Sequence, residues 1–322
     1  MNRKILVTGG VGYIGDSVVE YLQKISGVQV SVLDDLVYGG SYMRDVEFIR
    51  ADVTDIKKMI EVLDREWYAV VHLAALVGDG ACAVNELKTA TVNTTAVRDI
   101  AALCNERGIR LVFASTCSVY GKNDSVLDEA SETIPLSVYA HSKLAAEKEI
   151  EKYCPNHVIF RLGTLFGMST PHARIRCDLV ANILTYRASR GETLDVHGGE
   201  QWRPLLHVKD AAMAFARAAI GDRESNFLTG TYVLSHKNYT ITELAKEIVG
   251  LVGGKVNFSE KLYEDMRNYK VDSSKIKKLM FFPQRTVREG VLEMSRVLKE
   301  GRIADIWAEE YHNAKYIKAH HG

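Results

Sequence analysis

Cysteine is scarce in this sequence, and neither sign of charge is in excess. The five cysteines among the 322 residues are scattered and odd in number, and no two of them have C-x-x-C spacing. This argues against a disulfide framework and a zinc site, and it favours a reducing compartment. Lysine plus arginine and aspartate plus glutamate both number 41. Without a global charge, we expect no nucleic-acid partner, and an anionic ligand must be recognised locally.

Long apolar runs are also missing. No stretch is long enough to span a bilayer, no signal peptide precedes the first predicted strand, and there is no internal repeat. We therefore expect a cytoplasmic protein that has no membrane partner. Hydrophobic residues nevertheless form 47% of the chain, which is enough for a sizeable core in one large domain or two moderate ones.

The N-terminal stretch carries the first functional motif. A short apolar run at residues 5–7 ends at glycines, and apolar residues take up helical spacing after Gly15. Between them, Gly9, Gly12 and Gly15 form a G-x-x-G-x-x-G pattern. Side chains there would keep the backbone away from a pyrophosphate, and the N-terminus of the following helix supplies amide donors and partial positive charge. Strand, glycine turn and helix in this order predict a dinucleotide-binding site.

Asp34 ends the second predicted strand, where an acidic residue can bind both ribose hydroxyls of an adenosine. Its charge and that of the adjacent Asp35 would repel a 2′-phosphate. Neither Leu36 nor Val37 supplies a compensating arginine, and Arg44 would reach the site only if a loop brought it back. We therefore predict NAD, and not NADP, as the cofactor.

Predicted strands and helices alternate through the first half of the chain. After the first two strands, we predict strands at residues 47–52, 69–75 and 111–115 and helices at residues 56–65 and 93–107. This alternation predicts an α/β fold, a Rossmann-type doubly wound parallel sheet with helices on both faces. In such sheets, ligands bind at the carboxyl ends of the strands. The third strand ends at Asp52 and Val53, and we expect Asp52 beside the adenine or as the cap of the next helix.

The alternation of strands and helices loosens from residue 168 onward. We predict an NAD-binding Rossmann domain at residues 1–167, to which later segments return. A smaller α+β domain that binds the substrate is predicted at residues 168–322. The polar, histidine-rich tail at residues 311–322 is expected to be loose.

A second motif carries candidate chemistry. Residues 115–121, with the sequence STCSVYG, follow a central strand, and Tyr139 and Lys143 open a later helix. Their i to i+4 spacing puts the phenol and the ammonium on one face of that helix. The pKa of a phenol is about 10, and an adjacent ammonium and an oxidised nicotinamide would favour the phenolate. Such a phenolate would take the proton from a substrate hydroxyl while hydride leaves the same carbon, and the Thr116 hydroxyl would hold the substrate oxygen.

Together these motifs resemble the extended short-chain dehydrogenase/reductase family, in its branch of NAD-dependent nucleotide-sugar epimerases and dehydratases. The first half contributes TGGVGYIG at residues 8–15, HLAA at residues 72–75, VYG at residues 119–121, Asp52 with Val53, Ser115 with Thr116, and Tyr139 with Lys143. The second half contributes RLGTLFG at residues 161–167, QWRPLLHVKD at residues 201–210 and DSSK at residues 272–275. The resemblance covers roughly residues 3–300.

The resemblance implies Thr116, Tyr139 and Lys143 as catalytic residues, with Lys143 also holding the nicotinamide ribose of a tightly held NAD. It implies that the cofactor-binding residues are Gly9, Gly12, Tyr13, Ile14, Gly15, Asp34, Asp35, Asp52, Val53, Leu73, Ala74, Ala75, Asn93, Ser115, Tyr139 and Lys143. It further implies a nucleotide-diphosphate sugar as substrate, no metal, and a homodimer packed through the helices that begin near Asn93 and Tyr139.

Candidate substrate-binding residues follow from the same resemblance and from chemistry. They are Thr116, Cys117, Thr164, Arg174, Arg176, Arg203 and Arg267. The arginines are included because guanidinium groups suit phosphate oxygens. Arg203 stands where the family places a nucleotide-binding arginine, whereas a solvated surface position is the alternative for each of the others.

Departures from the family's patterns bear on the reaction. Cys117 and Ser118 stand where the 4,6-dehydratases carry an Asp-Glu pair, and the decarboxylases carry a glutamate at the position of Ser118. Val77 stands where the UDP-galactose 4-epimerases carry a lysine, and Asp178 stands near the position of their asparagine. The stretches around residues 73–82 and 160–188 instead resemble a branch of polysaccharide and antibiotic sugar pathways that includes GDP-heptose 4-dehydrogenases and putative epimerases.

Two reactions remain open at this point. An epimerase would oxidise the sugar transiently at C4 and return the hydride to the other face, whereas a net 4-dehydrogenase or 4-ketoreductase would release the keto sugar or reduce it. A non-catalytic NAD(H)-binding regulator is a third hypothesis, which the presence of both Tyr139 and Lys143 disfavours. Cys117 and His172 are candidates for a proton-exchanging pair like that of GDP-fucose synthases. The alternative for that pair is a buried thiol and a surface histidine.

Overall fold

The computed structural model describes residues 3–39, 42–221, 229–259, 267–279 and 281–322. The strands are, in chain order, β1 (Arg3–Thr8), β2 (Val28–Asp34), β3 (Glu47–Arg50), β4 (Ala69–His72), β5 (Arg110–Thr116), β6 (Lys122–Leu127), β7 (His157–Leu162), β8 (Thr164–Phe166), β9 (Thr193–His197), β10 (Trp202–His207), β11 (Gly230–Leu234), β12 (Lys237–Thr240), β13 (Lys255–Ser259) and β14 (Asn268–Val271). The α-helices are α1 (Gly15–Gln23), α2 (Ile56–Leu63), α3 (Asp79–Cys82), α4 (Glu86–Ala90), α5 (Ala96–Glu106), α6 (Val138–Tyr153), α7 (Val180–Ser189), α8 (Val208–Ile220), α9 (Ile241–Val252), α10 (Ser274–Lys277), α11 (Val287–Lys299) and α12 (Asn313–His321).

Seven parallel strands form the main sheet, in the order β11, β7, β5, β4, β1, β2 and β3. The chain builds outward from β1 in both directions, which is the doubly wound arrangement. Thr8 at the end of β1 pairs with Leu33 of β2 and with His72 of β4. The carboxyl ends of these strands therefore meet at one edge, and the predicted fold class is confirmed.

Helices cover both faces of this sheet. Apolar side chains of α1 and α8 pack on one face, and those of α2, α5 and α6 pack on the other. All four residues of β4 are buried. A parallel sheet that is covered on both faces needs such continuous apolar strands, because neither face meets water.

The second half of the chain contains smaller sheets. Strand β10 pairs with β8 and β12, β9 pairs with β13, and β6 pairs with β14. Their core includes Leu184 of α7, Leu205 of β10 and Leu244 of α9. Strand β11 belongs to the main sheet, and helix α8 packs on a face of that sheet, although both follow residue 167. The division into two domains at residue 167 stays a prediction.

The C-terminal tail is ordered, and the prediction that it is loose was wrong. Residues 313–321 form α12, which packs on α3. Ile317 is 2% exposed and belongs to a cluster with Leu76 and Cys82. The imidazole of His321 donates a hydrogen bond to the carbonyl oxygen of Val37 at 2.9 Å. The polar composition of the tail therefore reflects hydrogen bonding to other segments.

None of the helices within the described ranges combines the length and the apolar character that crossing a membrane requires.

Candidate cofactor and active site

A cleft opens at the carboxyl edge of the main sheet, beside the turns that follow β1, β2, β3 and β4. It holds about 1200 Å³ of space free of protein atoms, part of which is open to solvent. Twelve of the residues predicted to bind the cofactor line this cleft, and they are Gly9, Gly12, Tyr13, Ile14, Gly15, Asp34, Asp35, Asp52, Val53, Leu73, Ala74 and Ala75. Strand pairing thus brings together residues that lie far apart in the sequence.

Glycine is required at two positions of the turn after β1. Gly9 has a φ of +70°, and a Cβ atom there would lie 2.6 Å from the backbone nitrogen of Ala74. A Cβ atom on Gly15 would collide with the carbonyl oxygen of Gly9. The turn is therefore packed tightly against the end of β4, and its backbone faces the cleft without side chains to block it.

Asp34 shapes this turn as well as lining the cleft. Its carboxylate accepts hydrogen bonds from the backbone amide of Val11 at 3.0 Å and from that of Leu36 at 2.9 Å. Burial raises the pKa of Asp34, and these two amides oppose that shift. Both carboxylate oxygens are thus fixed in position at the edge of the cleft.

Arg44 does not return to the cofactor cleft. Its guanidinium forms a bidentate ion pair with Asp16, with distances of 2.6 and 2.7 Å. The two side chains are 11% and 2% exposed. This arginine is therefore engaged at α1, away from the position where it would compensate a 2′-phosphate.

The predicted catalytic residues lie at the ends of β5 and α6. Ser137 caps α6, since its hydroxyl accepts a hydrogen bond from the amide of Ala140 at 3.2 Å. This cap positions the first turn, which carries Tyr139. The hydroxyl of Thr116 lies close enough to the phenol of Tyr139 to lower the pKa of that phenol. Thr116 also accepts a hydrogen bond from the amide of Ser118 at 3.1 Å.

Lys143 is buried one turn after Tyr139. It is 3% exposed, and its ammonium lies 4.7 Å from the centre of the Phe113 ring. Burial lowers the pKa of Lys143 to about 8. Burial raises the pKa of Tyr139, and the neighbouring Cys82 and Asp79 add to that shift. Without a bound cofactor, the protein therefore keeps Tyr139 protonated. The phenolate predicted from the spacing of Tyr139 and Lys143 was expected with an oxidised nicotinamide present.

Asn93 and Ser115 point away from the cleft. Asn93 lies in a π-helical turn, Thr91–Thr95, and is fully buried. Its amide group exchanges two hydrogen bonds of 2.9 Å with the backbone of Leu76 and donates a third to Ser142. The hydroxyl of Ser115 donates to Glu147. Both residues act as supports for the site, because their polar atoms are engaged within the protein.

Comparison with known proteins gives the family. Residues 5–226 match the model of the NAD dependent epimerase/dehydratase family. The chain belongs to this family. It is therefore an NAD-dependent enzyme, and the predicted family, enzyme class and cofactor are confirmed.

Individual relatives of this NAD-dependent enzyme differ in the reactions that their names describe. UDP-glucuronic acid decarboxylase 6 of Arabidopsis thaliana is 29% identical over 311 residues, which cover 90% of this chain and 87% of that protein. A probable low-salt glycan biosynthesis reductase of Haloferax volcanii is 26% identical over 275 residues, which cover 79% of this chain and 82% of that protein. The structure of UDP-glucose 4-epimerase from Thermus thermophilus in complex with NAD matches with a TM-score of 0.74 and 26% identity, covering 90% of this chain and 98% of that one.

The residues present fit the cofactor of the family. Glycine at positions 9 and 15 lets the turn after β1 pack against the end of β4 and leaves its backbone lining the cleft, as a dinucleotide site requires. Asp34 offers fixed carboxylate oxygens beside it. Within the described ranges, no group of three or more His, Cys, Asp or Glu residues is arranged to hold a metal ion.

Two of the arginines predicted to bind substrate line the cofactor cleft of this enzyme. Arg174 and Arg176 lie there together with the glycine turn. The guanidinium of Arg174 stacks at 4.0 Å from the centre of the Tyr38 ring. The structure places both arginines in the lining of the cofactor cleft, and their binding of the substrate stays a prediction.

Arg203 and Arg267 are connected by contacts to the start of α6. Nη1 of Arg203 donates a hydrogen bond to the carbonyl oxygen of Arg267 at 2.6 Å. Arg267 forms an ion pair of 2.9 Å with Asp79, and Asp79 accepts a hydrogen bond from the Ser137 hydroxyl at 2.6 Å. This chain of contacts ends at the cap of the helix that carries Tyr139.

The structure does not bring Cys117 to the cleft as predicted. Cys117 is 1% exposed, and its thiol donates a hydrogen bond to the carbonyl oxygen of Arg161. It packs with Val119 and Leu127 because the short 3₁₀ turn after β5 directs it inward. His172 is exposed, so a buried thiol and a surface histidine are what the structure shows. Thr164 lies in β8 and is partly buried.

Several residues of this site were missed by the sequence reasoning. Tyr38, Lys88, Leu165 and Asn313 all line the cofactor cleft. Tyr38 was within reach of prediction, since it follows Asp34 closely along the chain. No local signal marks Asn313, because it reaches the cleft only through the packing of α12.

Proposed function

We propose that the protein is an NAD-dependent nucleotide-sugar epimerase that acts by transient oxidation at C4 of the sugar. The observation that carries the proposal is the placement of Thr116 beside Tyr139, with Lys143 buried one turn later on the same helix. This cluster stands at the carboxyl edge of the sheet that also forms the cofactor cleft. Proton transfer and cofactor binding would therefore take place at one edge of the sheet.

The glycine turn, Asp34 and the turn after β4 would hold NAD, which when bound supplies a reversible two-electron oxidation of the substrate carbon. Tyr139 would take the proton of the C4 hydroxyl and later return it. Because burial raises the pKa of Tyr139, its phenolate must be stabilised by positive charge nearby. Lys143 would supply such a charge, since a pKa of about 8 leaves most of it protonated at neutral pH, and the charge of Arg176 lowers the pKa of Tyr139 as well.

Thr116 has a positioning and binding role in this proposal. Its hydroxyl lies near the Tyr139 phenol and lowers the pKa of that phenol, against the effect of burial. The same hydroxyl is 3.1 Å from the Ser118 hydroxyl. A substrate oxygen placed between Thr116 and Tyr139 would replace part of this network, so that its proton points at the phenol oxygen.

A nucleotide-diphosphate sugar is the proposed substrate class. The names of the relatives support it, because a decarboxylase of UDP-glucuronic acid and a 4-epimerase of UDP-glucose are similar to this chain over most of its length. Arg203 and Arg267 are the proposed contacts to its diphosphate. They lie beside Asp79 and Ser137, and hence beside the helix of Tyr139.

Epimerisation is proposed in preference to dehydration or decarboxylation. The resemblance places carboxylates of the dehydratases and decarboxylases at the positions of Cys117 and Ser118. Here the thiol of Cys117 is buried, and the hydroxyl of Ser118 lies 3.4 Å from the hydroxyl of Tyr269. Neither group can serve as the carboxylate that those reactions use. A net 4-dehydrogenase or 4-ketoreductase is the second candidate, favoured by the similarity to the Haloferax volcanii probable reductase.

A homodimer and a cytoplasmic location are part of the same proposal. Helices α5 and α6, through which the family resemblance implies that the homodimer packs, lie against each other. Light scattering of the purified chain tests it, and a monomer would contradict it. The five cysteines are all free and buried, which is in keeping with a reducing cytoplasm.

The test uses the purified full-length chain with its bound cofactor. UDP-, GDP-, CDP- and dTDP-sugars are added in turn while the reduced-nicotinamide absorption band is followed and the products are separated. Conversion of one sugar to its C4 epimer without lasting reduction supports the epimerase, and it should be lost in Tyr139→Phe while NAD stays bound. A stoichiometric rise in absorbance that persists would contradict the epimerase and favour the net 4-dehydrogenase or 4-ketoreductase. Oxidation of bound reduced cofactor by a keto sugar would do the same.

A further inference from the structure

Two arginines of the cofactor cleft, Arg174 and Arg176, lie beside one carboxylate, that of Asp178. Arg176 is 9% exposed and forms a bidentate ion pair with Asp178, with distances of 2.6 and 3.1 Å. Arg174 lies close enough to both residues to affect their electrostatic surroundings. Two guanidinium charges thus share the carboxylate of Asp178, in a place where burial makes an unbalanced charge costly.

One of the three guanidinium nitrogens of Arg174 has no hydrogen-bond partner among the described residues. Its Nε donates to the carbonyl oxygen of Glu310 at 2.7 Å, and its Nη1 donates to the amide oxygen of Asn313. Its Nη2 is buried and has no hydrogen-bond partner among the described residues. Burial and the neighbouring Arg176 lower the pKa of Arg174 to about 10. An anion bound at Nη2 would supply both the missing partner and the missing charge.

We propose that Arg174 binds the diphosphate of the dinucleotide cofactor, and that the C-terminal segment 309–321 holds Arg174 in place for this purpose. The proposal rests on the cofactor assignment made above, and it does not depend on which reaction the enzyme performs. It also assigns to the tail a role in retaining NAD between turnovers.

Two interactions connect these arginines with the cofactor side of the cleft. Arg174 stacks on Tyr38, which follows Asp34 on the cofactor side of the sheet edge. The charge of Arg176 acts on Tyr13 of the glycine turn, where the pyrophosphate of a dinucleotide is bound. The other pair of arginines, near Asp79, is left for the substrate.

The C-terminal segment joins three parts of the cleft wall. The amide nitrogen of Asn313 donates to Asp178 at 2.8 Å, and its side chain donates to the carbonyl oxygen of Val77 at 2.9 Å. His321 donates to the carbonyl oxygen of Val37, and Ile317 is buried against α3. The loops after β2 and β4 and the arginine loop are therefore connected by one helix. A cofactor that lies beneath them would be released only when these contacts open.

The test measures binding to NAD-stripped, full-length protein by calorimetry, with NAD, ADP, adenosine and UDP as probes. Arg174→Gln is expected to weaken NAD and ADP by about 10- to 100-fold, because a hydrogen bond to a charged group is lost. Adenosine and UDP should bind as they do to the wild type. Arg174→Lys, which keeps the charge, should lose less. Arg296→Gln on the exposed face of α11 is the matched control and should change nothing.

Other outcomes would overturn the proposal. Unchanged binding of NAD and ADP would show that Arg174 does not contact the cofactor diphosphate. A loss confined to UDP would assign Arg174 to the substrate, and an equal loss for adenosine would show only a damaged cleft. Asn313→Ala, in which Arg174 itself is intact, is expected to speed the release of bound NAD by about tenfold. An unchanged rate of NAD release in Asn313→Ala would show that the C-terminal segment does not help to retain NAD.

These measurements do not use turnover. A protein that binds NAD as described but converts no sugar would contradict the proposed function and leave the role of Arg174 standing. A protein that epimerises a sugar, and whose NAD affinity is unaltered by Arg174→Gln, would support the proposed function and contradict the role of Arg174.

Discussion

The carboxylate of Asp34 and the backbone amide of Val11 are joined by a hydrogen bond of 3.0 Å. This bond connects the end of β2 to the glycine turn after β1. The residue that would bind the ribose therefore also sets the shape of the turn that would bind the pyrophosphate. The two halves of the dinucleotide motif form one unit, although they lie on different strands.

Removal of this carboxylate should weaken the cofactor site in two ways. Asp34→Ala loses the ribose contact and the anchor of the turn, so we expect NAD affinity to fall by roughly 100-fold. Discrimination against NADP should fall as well, because a repulsive charge is removed. Titration of the apo-protein with both dinucleotides measures the two effects. Asp35→Ala serves as the control, since the carboxylate of Asp35 is exposed, accepts the nearby amide of Val37 and should matter less. NAD affinity that survives Asp34→Ala would refute the assignment.

Thr116 should affect turnover more than cofactor binding. Thr116→Val keeps the shape of the side chain but removes the hydroxyl that lowers the pKa of Tyr139. We expect kcat to fall by about 10- to 100-fold with little change in NAD affinity. Thr116→Ser restores the hydroxyl and should recover most of the rate. If serine and valine are equally poor, the methyl group and not the hydroxyl is what the site needs.

Lys143 should reduce the stability of the protein while it serves the reaction. Its pKa is about 8 in the folded protein and 10.5 in the unfolded chain, so the unfolded chain binds more protons between these values. Stability from this site therefore rises with pH through that window and is lowest below pH 8. Lys143→Met should raise the free energy of unfolding at neutral pH by up to about 3 kcal/mol, and should lose activity.

Urea unfolding of the NAD-free protein at neutral pH and at a pH near 10 measures this effect. The advantage of Lys143→Met over the wild type should shrink as the pH rises. Lys299→Met, at an exposed position on α11, is the control and should show no such trend. A constant difference at all pH values would mean that packing of the methionine, and not the buried charge, changes the stability.

Glu147 and Arg161 should behave as a coupled pair. Their ion pair of 2.8 Å is buried, with side chains 2% and 9% exposed, and Glu147 also accepts the hydroxyl of Ser115. Either Glu147→Leu or Arg161→Met alone leaves a buried charge without its partner and should cost about 3–5 kcal/mol. The double variant should cost less than the sum. A double-mutant cycle from denaturant unfolding gives the coupling, and strictly additive losses would contradict it.

Much of the cofactor site could be predicted, because it is encoded locally. The glycine pattern requires particular backbone conformations, and the apolar strands end where the sheet edge must be. Gly9, Asp34, Val53 and Ala74 therefore line the cleft, as their positions at strand ends predict. Parallel pairing of neighbouring strands is enough to bring them together.

Side-chain direction could not be predicted in the same way. Asn93 and Ser115 are at the expected places in the chain, yet their polar groups bind Leu76 and Glu147 inside the protein. Cys117 lies directly after Thr116 but is turned into a buried cluster. Such choices depend on which polar partners the packed structure offers, and a one-residue offset reverses the direction of a side chain on a strand.

The sequence by itself determined the doubly wound sheet, the glycine turn with its acidic partner, and the Tyr139 and Lys143 pair, because each rests on spacing within one or two elements. Only the tertiary structure decided that Arg174 lines the cofactor cleft and that the polar tail forms α12 against the same cleft. Those results depend on contacts between segments far apart in the chain, such as Asn313 with Val77 and Asp178. No local pattern specifies such contacts, since their energy is realised only once the rest of the fold has placed the partners.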